Sequence, residues 1–300
     1  MRKPIDSSPR WPVAVGAPVW ACDAWGDLVY PARTPRRDFL RWYSRAFPTA
    51  EGNSTFYGVP AVESFERWAD QSMPGFEFCL KVPRSVSHNA APSDAGRQDD
   101  YGRFLAGLAV LAKADRLGPA FLQLPPSFAP DRFDELQSFL DQWPTDFPLA
   151  VEVRHHDWFD RGANENRLDD GLRNRNIDKV LFDSRPLYQA PPDDPIEAVS
   201  QTRKPKTPYR ETVTAGRPMV RMVGRNQIEK VDPFLRQWAD VLAKWIDAGL
   251  QPIFFTHAPD DRFAPELAWR LVQHIAKVSD SGDWDVPRLS PPAKQPGLFD

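Results

Sequence analysis

Apolar positions along the chain follow two periods in turn. Short runs rich in β-branched and aromatic residues recur at about 17–22, 47–53, 76–82, 119–124, 149–154, 179–183, 218–223 and 251–256, and each predicts a strand. Between them the apolar residues move to helical spacing. Phe39, Leu40, Trp42, Tyr43 and Phe47 share one face over 38–47, and Phe104, Leu105, Leu108, Leu111 and Ala112 do so over 101–117. Segments 62–69, 133–143, 166–176, 234–248 and 265–278 repeat the pattern. Strand and helix alternating eight times over about 270 residues predict an α/β fold, a single (β/α)8 barrel of the TIM type. An open doubly wound sheet would place a glycine-rich phosphate turn after its first strand. Ala21-Cys22-Asp23-Ala24-Trp25-Gly26 is no such turn.

The pattern lapses in three places. Residues 189–217 are proline-rich and polar, with the run Arg203-Lys204-Pro205-Lys206-Thr207-Pro208-Tyr209-Arg210, and read as a long excursion between strands six and seven. Loops of that length are usually functional or disordered. Residues 1–12 and 280–300 read as loosely held tails on a barrel domain spanning 13–279. The second tail carries Gln295-Pro296-Gly297-Leu298-Phe299, which resembles the Gln-x-x-Leu-Phe peptide by which bacterial DNA-processing proteins bind the sliding clamp. Two adjacent apolar anchors, Leu298 and Phe299, on a low-structure tail can enter a hydrophobic groove.

Composition narrows the function class. The 41% hydrophobic content supports a sizeable core, and 38 Lys plus Arg against 41 Asp plus Glu give a net charge of −3. Such a balance argues against a protein that coats nucleic acid, while leaving room for a local basic pocket. No apolar run approaches the roughly 18 residues of a membrane span, and Met1-Arg-Lys-Pro-Ile-Asp lacks the apolar stretch of a secretory signal. Cys22 and Cys79 form neither a spaced ligand motif nor a disulfide framework, and the expectation is a cytoplasmic protein.

In a barrel, functional side chains come from the C-terminal ends of the strands. Period two then groups the polar residues. Glu51 shares a face with Asn53, Lys81 with Cys79, Gln123 with Phe121, Glu152 with Arg154, Asp183 with Leu181, and Arg221 with Met219. These residues are expected to converge at one rim, with His88, His155, Arg185, Arg225 and His257 following on loops or strand ends. Mutually satisfied ion pairs would also account for them; charges at strand ends are otherwise costly to bury and tend to mark sites.

The charges limit the chemistry. Three acids (Glu51, Glu152, Asp183) face three cations (Lys81, Arg154, Arg221). A divalent metal prefers carboxylates and imidazoles without competing cations, and although Asp183, Glu152, His88 and His257 are possible ligands, no His-x-x-x-His spacing supports them. No metal and no other cofactor is therefore predicted. An anionic or polyhydroxylated ligand fits better, with Glu51 and Glu152 as an acid/base pair. No Gly-x-Ser-x-Gly elbow or Cys/His nucleophile signature is present.

The same residues carry a family likeness. Trp25-Gly26-Asp27-Leu28-Val29-Tyr30-Pro31, Glu51-Gly-Asn-Ser-Thr-Phe-Tyr57, and Phe76-Glu-Phe-Cys-Leu-Lys81 with His88 resemble the YecE-like family (domain of unknown function 72). Phe121-Leu-Gln-Leu-Pro-Pro126, Val151-Glu-Val-Arg-His155 with Trp158, Asp183-Ser-Arg185 and Arg221-Met-Val-Gly-Arg225 extend the resemblance over about 17–275. It implies a TIM barrel and no particular reaction. Two departures stand out. Many members read Arg-x-His-Gly where this chain has Arg221-Met222-Val223-Gly224, and often Asn-Asn-His where it has Phe255-Thr256-His257. Both weaken any mechanism or metal site that needs the strand-seven histidine. Trp25, Tyr30, Phe56, Tyr57 and Trp158 either line the pocket mouth or pack the core.

Three functions follow. The first is an enzyme acting on a phosphorylated, sugar-like or nucleotide-like ligand, with Glu51, Glu152, Lys81 and Asp183 as the catalytic set. Asn53, Tyr57, His88, Gln123, Arg154, His155, Arg185, Arg221, Arg225 and His257 would bind the ligand. The second is a nucleic-acid-associated protein recruited to the sliding clamp through Gln295, Leu298 and Phe299, with the 203–210 loop touching phosphates. The third is a non-catalytic ligand-binding barrel.

Overall fold

The structure, a computed structural model, describes residues 8–9, 11–88 and 95–279. The N-terminal segment is described only in part, and Gln295, Leu298 and Phe299 lie outside the described residues. The described residues contain eight short strands: β1 (Ala14–Gly16), β2 (Thr49–Gly52), β3 (Glu77–Leu80), β4 (Ala120–Gln123), β5 (Leu149–Glu152), β6 (Asp178–Asp183), β7 (Met219–Val223) and β8 (Ile253–His257). The α-helices are α1 (Phe39–Ala46), α2 (Ser54–Tyr57), α3 (Val62–Gln71), α4 (Arg84–Ser87), α5 (Ala95–Lys113), α6 (Phe133–Gln142), α7 (Ala163–Arg173), α8 (Arg185–Tyr188), α9 (Pro195–Arg203), α10 (Asp232–Asp247) and α11 (Ala264–Val278).

Every strand pairing is parallel. Six strands form a curled half-barrel in the order β1-β8-β7-β6-β5-β4, and β2 and β3 form a separate pair. Single contacts link the two sheets. The Glu51 N–H donates to Ala17 O at 3.1 Å beside β1, and isolated bridges join Phe78 to Leu117 and Lys81 to Phe121 beside β4. Gly16 permits the first approach, since a Cβ there would stand 2.3 Å from the Thr49 carbonyl oxygen.

Side chains sort by the two faces of these sheets. Cys79, Phe121, Ala150, Val180, Met219, Ile253 and Phe255 form one apolar cluster on the inner side, with Ala14 packed against it. The alternate residues, among them Phe78, Leu122, Val151, Leu181, Val220 and Phe254, join the larger core beneath the helices. Both faces are buried, so the strands read as near-continuous apolar runs.

Two expectations need correction. The first strand was expected at 17–22 but lies at Ala14–Gly16, because Pro18 has no N–H to continue the ladder with β8. Trp20 instead packs edge-on against Trp68 and Phe78. The 189–217 excursion is not a bare loop, since it contains α9. Asp194 caps that helix by accepting from the N–H groups of Ile196 and Glu197, and Pro195 occupies its first position.

Buried charge anchors the excursion. The Arg225 guanidinium, 0% exposed, donates to the carboxylates of Glu197 (2.7 Å) and Asp193 (2.8 Å) and to the carbonyl of Pro191 (2.7 Å). Glu197 also accepts from the Asn226 N–H at 2.8 Å. Replacing Arg225 with Met strands the buried Glu197 carboxylate, whereas Asp193 keeps Lys230 at 3.0 Å. The substitution should cost about 3–5 kcal/mol of stability in urea denaturation and open the 189–194 stretch to limited proteolysis.

Candidate functional site

Above the inner apolar layer the strands turn to polar residues. Glu51 (β2), Gln123 (β4), Glu152 (β5), Arg221 (β7), His257 (β8) and Lys81, just past β3, are all buried on the inner side. Arg221 is their centre. Its guanidinium grips Glu51 through two bonds, Nε to Oε2 at 2.8 Å and Nη2 to Oε1 at 2.7 Å, while Nη1 donates to Glu152 Oε2. The Glu51 carboxylate also meets Asn53 Nδ2 at 2.7 Å and His257 Nε2 at 3.0 Å. Glu152 accepts from Arg154 Nε at 2.7 Å and from Gln123 Nε2 at 2.8 Å. The opposite end of that amide, Gln123 Oε1, accepts from Lys81 Nζ at 2.7 Å.

The electrostatics follow from this wiring. Burial alone would raise both carboxyls, but cations overcome it. Arg221 and His257 hold Glu51 well below the ordinary range, and Arg221 and Arg154 hold Glu152 at about 2. Both are fixed anions at neutral pH. Lys81 goes the other way: burial, helped by Arg221 and Arg154, pulls its ammonium down to about 7. Burial, with Lys81 and Arg154, holds the His88 imidazole near 4. Burial also lowers His257, against the pull of Glu51.

One residue here carried no sequence signal of its own. Lys204 follows α9, and its partly buried ammonium acts on His257 and is itself acted on by Arg221, Glu51, Arg154 and Asp261. Burial and Arg221 lower its pKa. Its neighbours are stapled to β6 and α8: Thr207 Oγ1 donates to Phe182 O, and Ser184 Oγ to Pro205 O, both at 2.7 Å. Tyr188 OH donates to the Lys204 carbonyl.

The rim is partly aromatic and apolar. Phe56 lies under Lys81, with Nζ 3.6 Å from the ring centroid, and meets the His88 ring edge-on. Phe182, Leu187 and Val223 form a small cluster near Arg221, so the position of the family's strand-seven histidine is apolar wall. Tyr57 is 82% exposed, whereas Trp25, Tyr30 and Trp158 are buried packing residues.

Several expected site residues lie elsewhere. Asp183 faces the helix layer, where it accepts from Trp238 Nε1 at 2.8 Å and from Arg185, because β6 turns Val180 and Phe182 inward instead. Arg185 spans Asp183 and Gln237 and stacks on Tyr209, and Arg225 anchors the excursion as described. His155 caps a 3-10 turn, its Nδ1 accepting from the Asp157 N–H at 3.2 Å. The basic run does not act as one patch: Arg210 pairs with Glu165 and Lys204 turns toward the site, leaving Arg203 and Lys206 exposed. A separate cavity of about 440 Å³ lies on the outer side of β4, lined by Leu122, Leu124, Tyr101 and Phe139 with His88 at its edge.

No group of three or more His, Cys, Asp or Glu side chains among the described residues could hold a metal ion. Nor is any helix among them long and apolar enough to cross a membrane.

A family model described as "Protein of unknown function DUF72" matches residues 14–291. The chain belongs to the DUF72 family. It is 34% identical to UPF0759 protein YecE of Escherichia coli K12 over 266 residues, covering 89% of this chain and 93% of YecE. It is 27% identical to UPF0759 protein YunF of Bacillus subtilis over 153 residues, covering 48% of this chain and 53% of YunF. Among solved structures, a DUF72 protein from Thermotoga maritima shares the fold at a TM-score of 0.64 and 24% identity, covering 89% of this chain and 98% of that one. Another from Enterococcus faecalis does so at 0.63 and 17%, covering 89% and 96%. The resemblance seen in the sequence is therefore a true membership.

Removing the central guanidinium tests the network directly. Arg221→Met should cost about 3–5 kcal/mol, because two buried carboxylates lose their counter-ion. The loss should shrink in the triple variant that also carries Glu51→Gln and Glu152→Gln. In the native protein, stability from the depressed carboxyls is present above their unfolded pKa and lost as pH falls toward 2. Urea melts between pH 7 and 2 check both statements.

Proposed function

We propose that the two sheets close into one (β/α)8 barrel and that the polar cluster at its mouth is the active site of an enzyme acting on a small anionic ligand. The charge arrangement carries this reading. Glu51 and Glu152 are both engaged by Arg221, while Lys81, Arg154 and Lys204 add three further cationic groups around the same point. With Asp261 counted near Lys204, three carboxylates face four cationic side chains while Lys81 is protonated. An incoming phosphate or carboxylate would restore the balance.

In this reading the two glutamates position Arg221 rather than move protons. A carboxyl held near 2 is a weak base and cannot serve as an acid at neutral pH. Proton transfer passes to Lys81, whose amine titrates near 7. Asn53 and Gln123 orient the groups they touch, and Phe56 and Tyr57 offer an aromatic edge to the ligand.

Calorimetric titration with inorganic pyrophosphate tests the reading. Arg154→Ala and Lys204→Ala should each weaken binding about tenfold, the worth of one charge-assisted contact. Affinity should also fall as pH rises through about 7, where Lys81 loses its proton. Heats that are absent, or unchanged in both variants, would remove the anion site.

A further inference from the structure

Lys81 differs from the other deeply buried lysine among the described residues. Lys179, 2% exposed, has Asp169 at 2.7 Å and Glu165 at 4.0 Å. Lys81, 8% exposed, forms no ion pair among the described residues, although two carboxylates belong to the same cluster. Arg221 and Arg154 have taken those carboxylates. Among the described residues the ammonium of Lys81 has one hydrogen bond, to Gln123 Oε1, and the Gln123 amide is oriented by its own bond to Glu152. The amine therefore has a neutral acceptor, an aromatic ring at 3.6 Å and cationic neighbours. Desolvation beside another cation is the environment that turns a lysine into a nucleophile.

We infer that Lys81 condenses with the aldehyde or keto carbonyl of a small anionic substrate, whose carboxylate or phosphate is held by Arg154 and Lys204. The inference rests on the anion-site reading above and names its substrate class. The neutral amine attacks the carbonyl carbon, forming the N–C bond. The resulting carbinolamine then loses the carbonyl oxygen as water, which carries away both amine protons, and leaves an imine. No oxidant, reductant or metal is consumed. Phe56 shields the nitrogen on one side, while Gln123 aims it from the other.

The test incubates the full chain with glyoxylate in one arm and glyceraldehyde 3-phosphate in the other, reduces with cyanoborohydride, and maps adducts by mass spectrometry. At pH 7 an amine titrating near 7 is about half neutral, against about one part in a few thousand for an ordinary lysine. The reduced adduct should therefore exceed that on exposed Lys113 and Lys244 by at least about tenfold. Its rate should rise through about pH 7 and level off, whereas exposed lysines keep rising toward pH 10. Lys81→Arg should abolish it, and the arm that labels at the lower concentration tells carboxylate from phosphate.

Adducts spread evenly over exposed lysines, or a principal adduct on Lys204, would overturn the inference. If Lys81→Arg fails to fold, the site distribution and pH profile of the native chain decide alone. Titration of both probes without reductant separates the two readings. Binding without an adduct overturns the imine and keeps the anion site, while absence of binding overturns both.

Discussion

A guanidinium and two carboxylates buried between two parallel sheets must satisfy one another, because water cannot. Arg221 does so with five donors in a planar fork: two bonds to Glu51 on β2 and one to Glu152 on β5. These partners lie far apart in sequence and in different sheets. The half-barrel contributes Glu152 and Arg221, and the β2–β3 pair contributes Glu51. The sheets share few backbone hydrogen bonds, so this ion triad is a main polar tie across the gap. Its energetic sign depends on geometry, since desolvating three charges costs as much as their attraction returns unless every lone pair is met. Here Asn53, His257, Gln123 and Arg154 meet the remaining ones.

That tie determines what the rest of the mouth can do. A carboxylate with two or three charge-assisted donors stays ionised far below neutral pH, which removes Glu51 and Glu152 from the natural set of acids and bases. Their consumption by Arg221 also leaves Lys81 without a carboxylate, and a lysine in that position shifts toward its neutral form. Fixed anions and a labile amine therefore share a cause, the placement of Arg221, which for Lys81 adds to burial.

Much of this geometry was legible in the chain. Alternation along β2, β3, β4, β5 and β7 puts Glu51, Lys81, Gln123, Glu152 and Arg221 on one side, because a strand's side-chain period tolerates no slippage. The same logic misplaced Asp183. Each face of β6 carries apolar residues and a charge near its start, Asp178 with Val180 and Phe182, Lys179 with Leu181, so period two supplied two equal registers and the charge of Asp183 broke the tie wrongly. Trp238 and Arg185, from the helix layer, already satisfy the Asp183 carboxylate. Strand one was misread for a related reason: Trp20, Ala21 and Cys22 continue the apolar run, but Pro18 ends the ladder.

Lys204 was illegible for a different reason. Irregular backbone has no period, and a lysine among Arg203, Lys206 and Arg210 reads as one solvated charge among four. What singles it out is the staple pattern around it, the Thr207 hydroxyl on the Phe182 carbonyl of β6, the Ser184 hydroxyl on the Pro205 carbonyl and Arg225 on Glu197 of α9, which holds its half-buried ammonium within electrostatic reach of Glu51 and Arg221. The Asp194-Pro195 start of α9 was the available clue that the excursion is built rather than loose. An excursion held by buried ion pairs at one end and delivering a cation at the other belongs to the site as much as the strands do. A change in its length or in Arg225 should therefore alter the charge balance that His257 and Asp261 experience without touching any strand.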